Sequence, residues 1–145
     1  MIIRNVVDSK ANSQIISMKP SDLVRSAVEL LAEKRIGAVI ITGDGATVDG
    51  ILSERDIVRA LASRGASCLD SQIQDLMTAV VVGCKPEDTA LSVLEKMTEG
   101  RFRHMPVIED NRMVAVISIG DVVKARITEI QAENMALTEM ISNSW

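Results

Sequence analysis

Two short runs carry the residues best suited to hold a small polar ligand: Ser53-Glu54-Arg55-Asp56 and Ser118-Ile119-Gly120-Asp121. In each, a hydroxyl stands three places ahead of a carboxylate, after an apolar stretch and before a helical one. A carboxylate at a strand-to-helix turn can accept from both hydroxyls of a ribose, chemistry that dinucleotide-binding folds also use. Beside it, a serine hydroxyl and the free N–H groups of a helix N-terminus can meet ribose or phosphate oxygens, and the helix dipole favours an anion. Arg55 could pair with a phosphate as a planar fork. The same residues would serve equally well as helix caps, with Ser53 at the start and Asp56 answering it three positions on. Both runs need a cap, so the residues alone leave the two roles open.

The elements that must position these runs come twice. Lys19-Pro20-Ser21-Asp22 returns as Lys85-Pro86-Glu87-Asp88, 66 residues later, followed in matching order by Ser26 and Ser92, Glu29 and Glu95, Glu33 and Glu99, Arg35 and Arg101. At Ser53 and Ser118 the offset has slipped to 65, as one missing residue between Asp110 and Ser118 would cause. An internal repeat of this length predicts a pseudo-symmetric pair, with any site duplicated where the copies meet.

Val24, Ala27, Val28 and Leu31 recur at helical spacing, as do Ala90, Val93, Leu94 and Met97. Asp22 and Asp88 stand just ahead, as the expected N-caps. Apolar runs at 38–42 and 105–108 read as buried strands. Gly43-Asp44-Gly45 and Glu109-Asp110-Asn111 are turn chemistry, and strands at 48–52 and 113–117 close two hairpins. A further strand ahead of each first helix, at 15–18 and 80–84, completes a β-α-β-β-α order. The expected fold class is therefore α/β (α+β), with two such repeats packed as a pseudo-twofold pair. Residues 10–66 form the first repeat, 67–78 a linker with a helical turn, 79–128 the second repeat and 129–145 a C-terminal helical extension. Val122, Val123, Ile127, Ile130, Leu137 and Ile141 keep an apolar pattern along that last helix. A helix that outruns its domain can pack on a partner subunit or stand in solvent.

Composition narrows the classes. Phe102 and Trp145 are the only aromatics among 145 residues, which removes the stacking platforms of single-strand nucleic-acid binders, and the net charge of −4 lacks the basic excess that phosphate backbones attract. Cys68 and Cys84 have neither CxxC spacing nor a histidine cluster, so no metal site or disulfide framework is indicated. No signal-peptide pattern or membrane-spanning apolar run is visible, which leads to the expectation of a soluble, cytoplasmic protein without membrane or nucleic-acid partners. With one histidine, no nucleophile–base pair and no Gly-rich phosphate loop, an enzyme is not expected. Met18, Met77, Met97, Met105 and Met113 read as core filling.

Three marks together resemble a CBS-domain pair, or Bateman module, over residues 10–128. They are the K-P-x-D start of each first helix, the His104-Met105-Pro106-Val107 run, and the closing Gly50-Ile51-Leu52-Ser53-Glu54-Arg55-Asp56 with its partner Val116-Ile117-Ser118-Ile119-Gly120-Asp121. The resemblance implies two sheets packed about a pseudo-twofold axis with two clefts between them. Many relatives bind AMP, ADP, ATP, NAD(H) or S-adenosylmethionine there and act as sensors rather than enzymes. Two modules commonly pair as a homodimer. Nothing in the chain resembles a fused enzyme or transporter, so a stand-alone sensor of an unidentified regulated protein is expected. The alternative is a ligand-independent dimerisation or scaffold module.

By the same resemblance, Asp56 and Asp121 are the ribose acids, with Ser53 and Ser118 beside them. Because Gly37 and Ala38 match Arg103 and His104, the Asp56 cleft would be completed by Thr78, Ala79, Phe102 and Arg103. The Asp121 cleft would take Ile36, Gly37, Arg103 and His104. Arg103 reads equally as a phosphate contact or a solvated residue, and His104 as a ligand contact or a structural histidine. Gly120 stands where Arg55 stands, so the second site lacks an arginine of its own and should have more room. Inequivalent clefts follow as an expectation: a mononucleotide such as AMP near Arg55, and a different or bulkier adenosine compound near Asp121.

Overall fold

The helices that open the two repeats fall where the periodicities put them. In the computed structural model, which describes residues 1–10 and 15–143, α2 (Val24–Lys34) buries Val24, Ala27 and Leu31, while α5 (Ala90–Gly100) buries Ala90, Val93 and Met97. Residues 11–14 of the expected first repeat and the last two of the expected extension lie outside the described residues. Both helices stop the same way, at an arginine in the left-handed region: Arg35 at φ 55° and Arg101 at φ 57°. Such a conformation is uncommon outside glycine and asparagine, and its repetition shows that both copies need the same reversal before the next strand.

The expected caps are displaced. Asp22 and Asp88 do not cap these helices; each carboxylate instead accepts from the backbone N–H three residues back, Lys19 and Lys85, both at 2.9 Å. The proline between each pair turns the chain, so the acid closes that turn and the helix begins later. Thr89 then caps α5 by accepting from the Ser92 N–H, whereas Leu23 offers α2 no side-chain cap. The Val24 N–H is satisfied instead by the Ser71 carbonyl at 2.9 Å.

In the first copy, β1 (Ser17–Met18), β2 (Ala38–Ile41) and β3 (Gly50–Ser53) form one sheet, parallel between β1 and β2 and antiparallel between β2 and β3. In the second, β4 (His104–Glu109) and β5 (Arg112–Ser118) form an antiparallel hairpin, His104 opposite Ser118. Its turn places Asp110 and Asn111 at φ 53° and 64°, as tight hairpins require. The strand expected at 80–84 does not form. Only Cys84 pairs, through its N–H to Pro106 O and the Ile108 N–H to its own carbonyl. One step further along, the partner would have to be the amide of Pro106, which has no N–H to donate. The first copy carries Ile40 at that position, and its third strand survives.

Two short helices exchange places between the copies. α1 (Ile3–Ser9), at the start of the chain, packs on the second copy, where the Ile3 N–H donates to Asp88 O at 2.8 Å. α4 (Ile73–Leu76), in the linker, packs on the first, where the Ile73 N–H donates to Asp22 O at 2.8 Å. Ile2 bridges Thr89 just as Gln72 bridges Leu23. The two cores follow suit: Ile73 joins Val24, Ala27, Leu31, Ile41 and Leu52, while Ile3 and Val6 join Val93, Met97, Met105 and Ile117. Burial sends the Cys84 thiol, in the second core, up to about 12, so it is an inert core residue.

Each copy closes on a helix. α3 (Glu54–Arg64) is followed by a 3₁₀ turn at Gly65–Asp70; α6 (Ile119–Asn143) is longer, burying Val122 and Ala125 and then running on with every residue from 131 to 143 exposed.

Candidate functional site

β3 delivers Ser53 and β5 delivers Ser118 to the N-termini of α3 and α6, and both serines cap. The Asp56 N–H donates to Ser53 Oγ at 3.3 Å and the Ser53 N–H to Asp56 Oδ2 at 3.0 Å. At the second turn the equivalent distances are 3.1 Å and 2.8 Å. Each helix start is also tied across to the other strand of its hairpin, Glu54 N–H to Gly37 O at 2.9 Å and Ile119 N–H to Arg103 O at 2.7 Å. In each pair one carboxylate oxygen is held by the cap, which fixes the acid's orientation.

The first turn opens on a cavity of about 610 Å³, within the range of small-molecule sites. Ser53, Arg55, Asp56, Thr78, Phe102, Arg103, Gly37, Ala38 and His104 line it. Thr78 comes from the stretch after α4, whose backbone pairs with β3 in both directions (Ile51 N–H to Thr78 O at 3.0 Å, Thr78 N–H to Ile51 O at 2.9 Å), and its hydroxyl reaches Asp56 Oδ1 at 3.4 Å. Gly50 permits this approach, because a Cβ there would sit 2.8 Å from Thr78 O and from Met77 Sδ. Four arginines, Arg55, Arg59, Arg101 and Arg103, line the cavity together with the acids Glu54 and Asp56. Among the described residues none of the four arginines is in an ion pair.

The second turn opens on a smaller cavity of about 230 Å³, lined by Ile36, Ala38, His104, Ser118 and Asp121 together with Lys10, Ile16, Ile40, Ile51 and Val116. Here the acid is already engaged: Lys10 Nζ lies 2.9 Å from Asp121 Oδ2 and donates to Val116 O at 2.8 Å. Burial alone would raise the Asp121 carboxyl, but the Ser118 N–H and Lys10 outweigh it and hold the group below the usual carboxylate value. His104 is pushed down, first by burial, with Asp121 opposing and Lys10 and Arg103 adding to the shift.

A family model for the CBS domain matches residues 3–63 and 73–128, both copies in turn. The chain belongs to the CBS-domain family. It is 31% identical over 150 aligned residues to a mitochondrial CBS domain-containing protein of Arabidopsis thaliana, spanning 99% of this chain and 73% of that protein. A crystal structure of a CBS-domain containing protein from Agrobacterium tumefaciens is 40% identical and superposes with a TM-score of 0.80, covering 87% of this chain and 99% of that one. The CBS domain pair of protein MJ0100, solved with 5′-methylthioadenosine and S-adenosyl-L-methionine, shares the fold at a TM-score of 0.73 and 19% identity, over 89% of this chain and 98% of that one.

Within this CBS pair the expected residues gather around two clefts, with four departures. Ala79 does not line the first cleft and Gly120 lines neither. Gly37, expected at Asp121, lines the Asp56 cleft instead, and Arg103, expected at both, lines only the Asp56 cleft. The second cleft, expected to have more room, is the smaller one; Gly120 does not line it and Lys10 does. Among the residues missed, Arg59 stands one helical turn beyond Arg55 and could have been read from that spacing. The run from Val80 to Val82 was hidden by its own hydrophobicity: it reads as a buried strand, yet Val80 is 85% exposed and forms a cleft wall.

Proposed function

We propose that this CBS pair is a non-catalytic regulatory module that takes a phosphorylated adenosine compound in the cleft built on Asp56. The observation that carries the reading is the pairing of one oriented carboxylate with four arginines around a cavity of about 610 Å³. Asp56 Oδ2 is committed to the cap, and among the described residues Oδ1 meets only the neutral hydroxyl of Thr78, which a ribose hydroxyl can replace. The guanidinium groups supply the planar donors that a phosphate accepts. AMP, ADP, ATP and NAD(H) all present that combination, and the methylthioadenosine and S-adenosylmethionine held by the MJ0100 pair support the adenosine class.

The scaffold reading, in which Ser53-Glu54-Arg55-Asp56 only caps α3, is favoured by the completeness of the capping box. Titration calorimetry of nucleotide-stripped protein against AMP, ATP, NADH and S-adenosylmethionine separates the two. Saturable binding that is lost in Asp56→Ala supports the sensor, and silence from all four compounds in folded protein supports the scaffold.

The module works as a homodimer that presents its ligand state to a regulated protein. The solvent-exposed half of α6, with Ile127, Ile130 and Leu137 at 42–56% exposure, supports self-association, which light scattering of the purified chain tests. No helix among the described residues is long and apolar enough to cross a membrane. We place the module in the cytoplasm, with the mitochondrial location named for the Arabidopsis relative as the competing address; cell fractionation decides between them.

A further inference from the structure

The two clefts meet their carboxylates with different partners. In the first, the segment after α4 lies along β3, and the neutral Thr78 hydroxyl approaches Asp56. In the second, Lys10, which follows α1, bonds through Nζ the carbonyl of Val116, the counterpart of Ile51 at an offset of 65, and meets Asp121 Oδ2. A neutral donor has been replaced by a cation.

We propose, on the reading of these clefts as adenosine sites, that Lys10 is the specificity determinant of the second cleft and favours ligands that carry an anionic group. Lys10 and the Ser118 N–H share Asp121 Oδ2, which leaves Oδ1 to a ribose hydroxyl, and the ammonium, with its bonds to Oδ2 and Val116 O, keeps a third proton for a ligand group. Both side chains are about three-quarters withdrawn from solvent, at 25% and 27% exposure. The remaining wall is mainly Ile16, Ile36, Ile40 and Val116, and Asp121 is its only acid among the described residues. An uncharged riboside would therefore cover the ammonium in apolar surroundings and leave its third proton unpaired, a costly state. A phosphate or carboxylate on the ligand removes that penalty by pairing with Lys10 while the ribose takes Asp121. Charge complementarity of this kind acts as a filter, rejecting the wrong ligand through an unpaired charge.

The test is calorimetry of the full chain with adenosine and with AMP, in an Asp56→Asn background that weakens the first cleft while leaving an oxygen for the Ser53 N–H. Circular dichroism confirms the fold of each variant. The expected result is AMP binding at least tenfold tighter than adenosine. Adding Lys10→Met, which keeps the apolar stem, should raise adenosine affinity at least tenfold and abolish the preference. Lys10→Arg, which keeps the cation, should retain it. A crystal of the Lys10→Met protein with adenosine should show the ribose at Asp121. Equal binding of the two probes before Lys10 is changed, an unchanged ratio after it, binding of neither probe, or adenosine placed away from Asp121 would each overturn the proposal. Failure of the underlying reading looks different: the chain with Asp56 intact then binds neither probe.

Discussion

Asp56 and Asp121 hold one position in two copies of one backbone design, with the same serine cap and the same tie across the hairpin, yet their surroundings share little. Around Asp56 stand four arginines and a cavity of about 610 Å³; around Asp121 stand a lysine ion pair and about 230 Å³. The cap is thus the duplicated part, and the side chains beyond it are where the copies have diverged. A recurring capping motif is a structural necessity at both turns and by itself says nothing about ligands. What distinguishes a binding cleft from a capped helix start is the set of groups that the cap does not use.

Removing Asp56 should separate the copies most sharply. Asp56→Ala is expected to lower AMP affinity of the first cleft by about 10- to 100-fold, the range for losing a hydrogen bond to a charged group. It should also cost about 0.5–2 kcal/mol of stability through the lost cap. Asp121→Ala should show a similar stability loss but change first-cleft affinity by no more than about twofold, since Asp121 does not line that cleft. Calorimetry and urea denaturation read the two quantities apart. Equal loss of AMP binding in both variants would mean that the clefts form one coupled site.

Gly50→Ala comes next. A methyl group at 2.8 Å from Thr78 O must push the linker off β3 or displace Met77, and overpacking of this kind costs about 1–3 kcal/mol. The counterpart substitution Ala115→Gly probes the same strand position in the second copy, without any such approach. If thermal melting shows Gly50→Ala to be neutral, the linker is not held against β3 as tightly as these distances state.

Arg55→Ala should weaken AMP by about tenfold, comparable to one charge-assisted contact, and leave adenosine unchanged. Gly120→Arg, which restores the missing residue to the second copy, should not create the reverse effect, because Gly120 does not line that cleft. Calorimetry with both probes at two salt concentrations checks this, since a phosphate contact weakens with salt and a purely steric effect does not.

How far these contrasts could be read beforehand depended on where their causes lay along the chain. The helices and hairpins were legible because helical spacing and turn residues recur in both copies, each confirming the other. The serine–aspartate turns were legible for the same reason. The missing strand at 80–84 depends on a single absent N–H at Pro106, a partner 22 residues away. Lys10 has no local mark at all: it reaches Asp121 only because α1 packs on the second copy, and a repeat boundary drawn at residue 10 cut that helix away. The signal was nonetheless present, since Ile3, Val6 and Val7 have helical spacing. Asp22 and Asp88 misled for an opposite reason. Their residue type was right for capping, but the preceding proline gave them a nearer turn to close.

The smallest effect expected is a pH dependence of stability centred on His104, which lines both clefts as Ala38 and Ile51 do. Burial, the largest influence, lowers its folded-state value below the ordinary 6.5; the Asp121 carboxylate opposes, and Lys10 and Arg103 push the same way as burial. The unfolded chain therefore takes up a proton first as pH falls. The stabilisation is fully present above about pH 6.5 and is lost as pH drops through the folded-state value of His104. Unfolding midpoints measured from pH 7.5 down to 5 should fall for the natural chain and stay flatter for His104→Gln. In Asp121→Asn the opposing charge is gone, so the fall should extend further. An anionic ligand in either cleft brings negative charge to the same imidazole and favours its protonated form, so ligand binding should reduce the slope. A slope of opposite sign would make His104 a charged partner of Asp121, and the second cleft would then hold two cations rather than one.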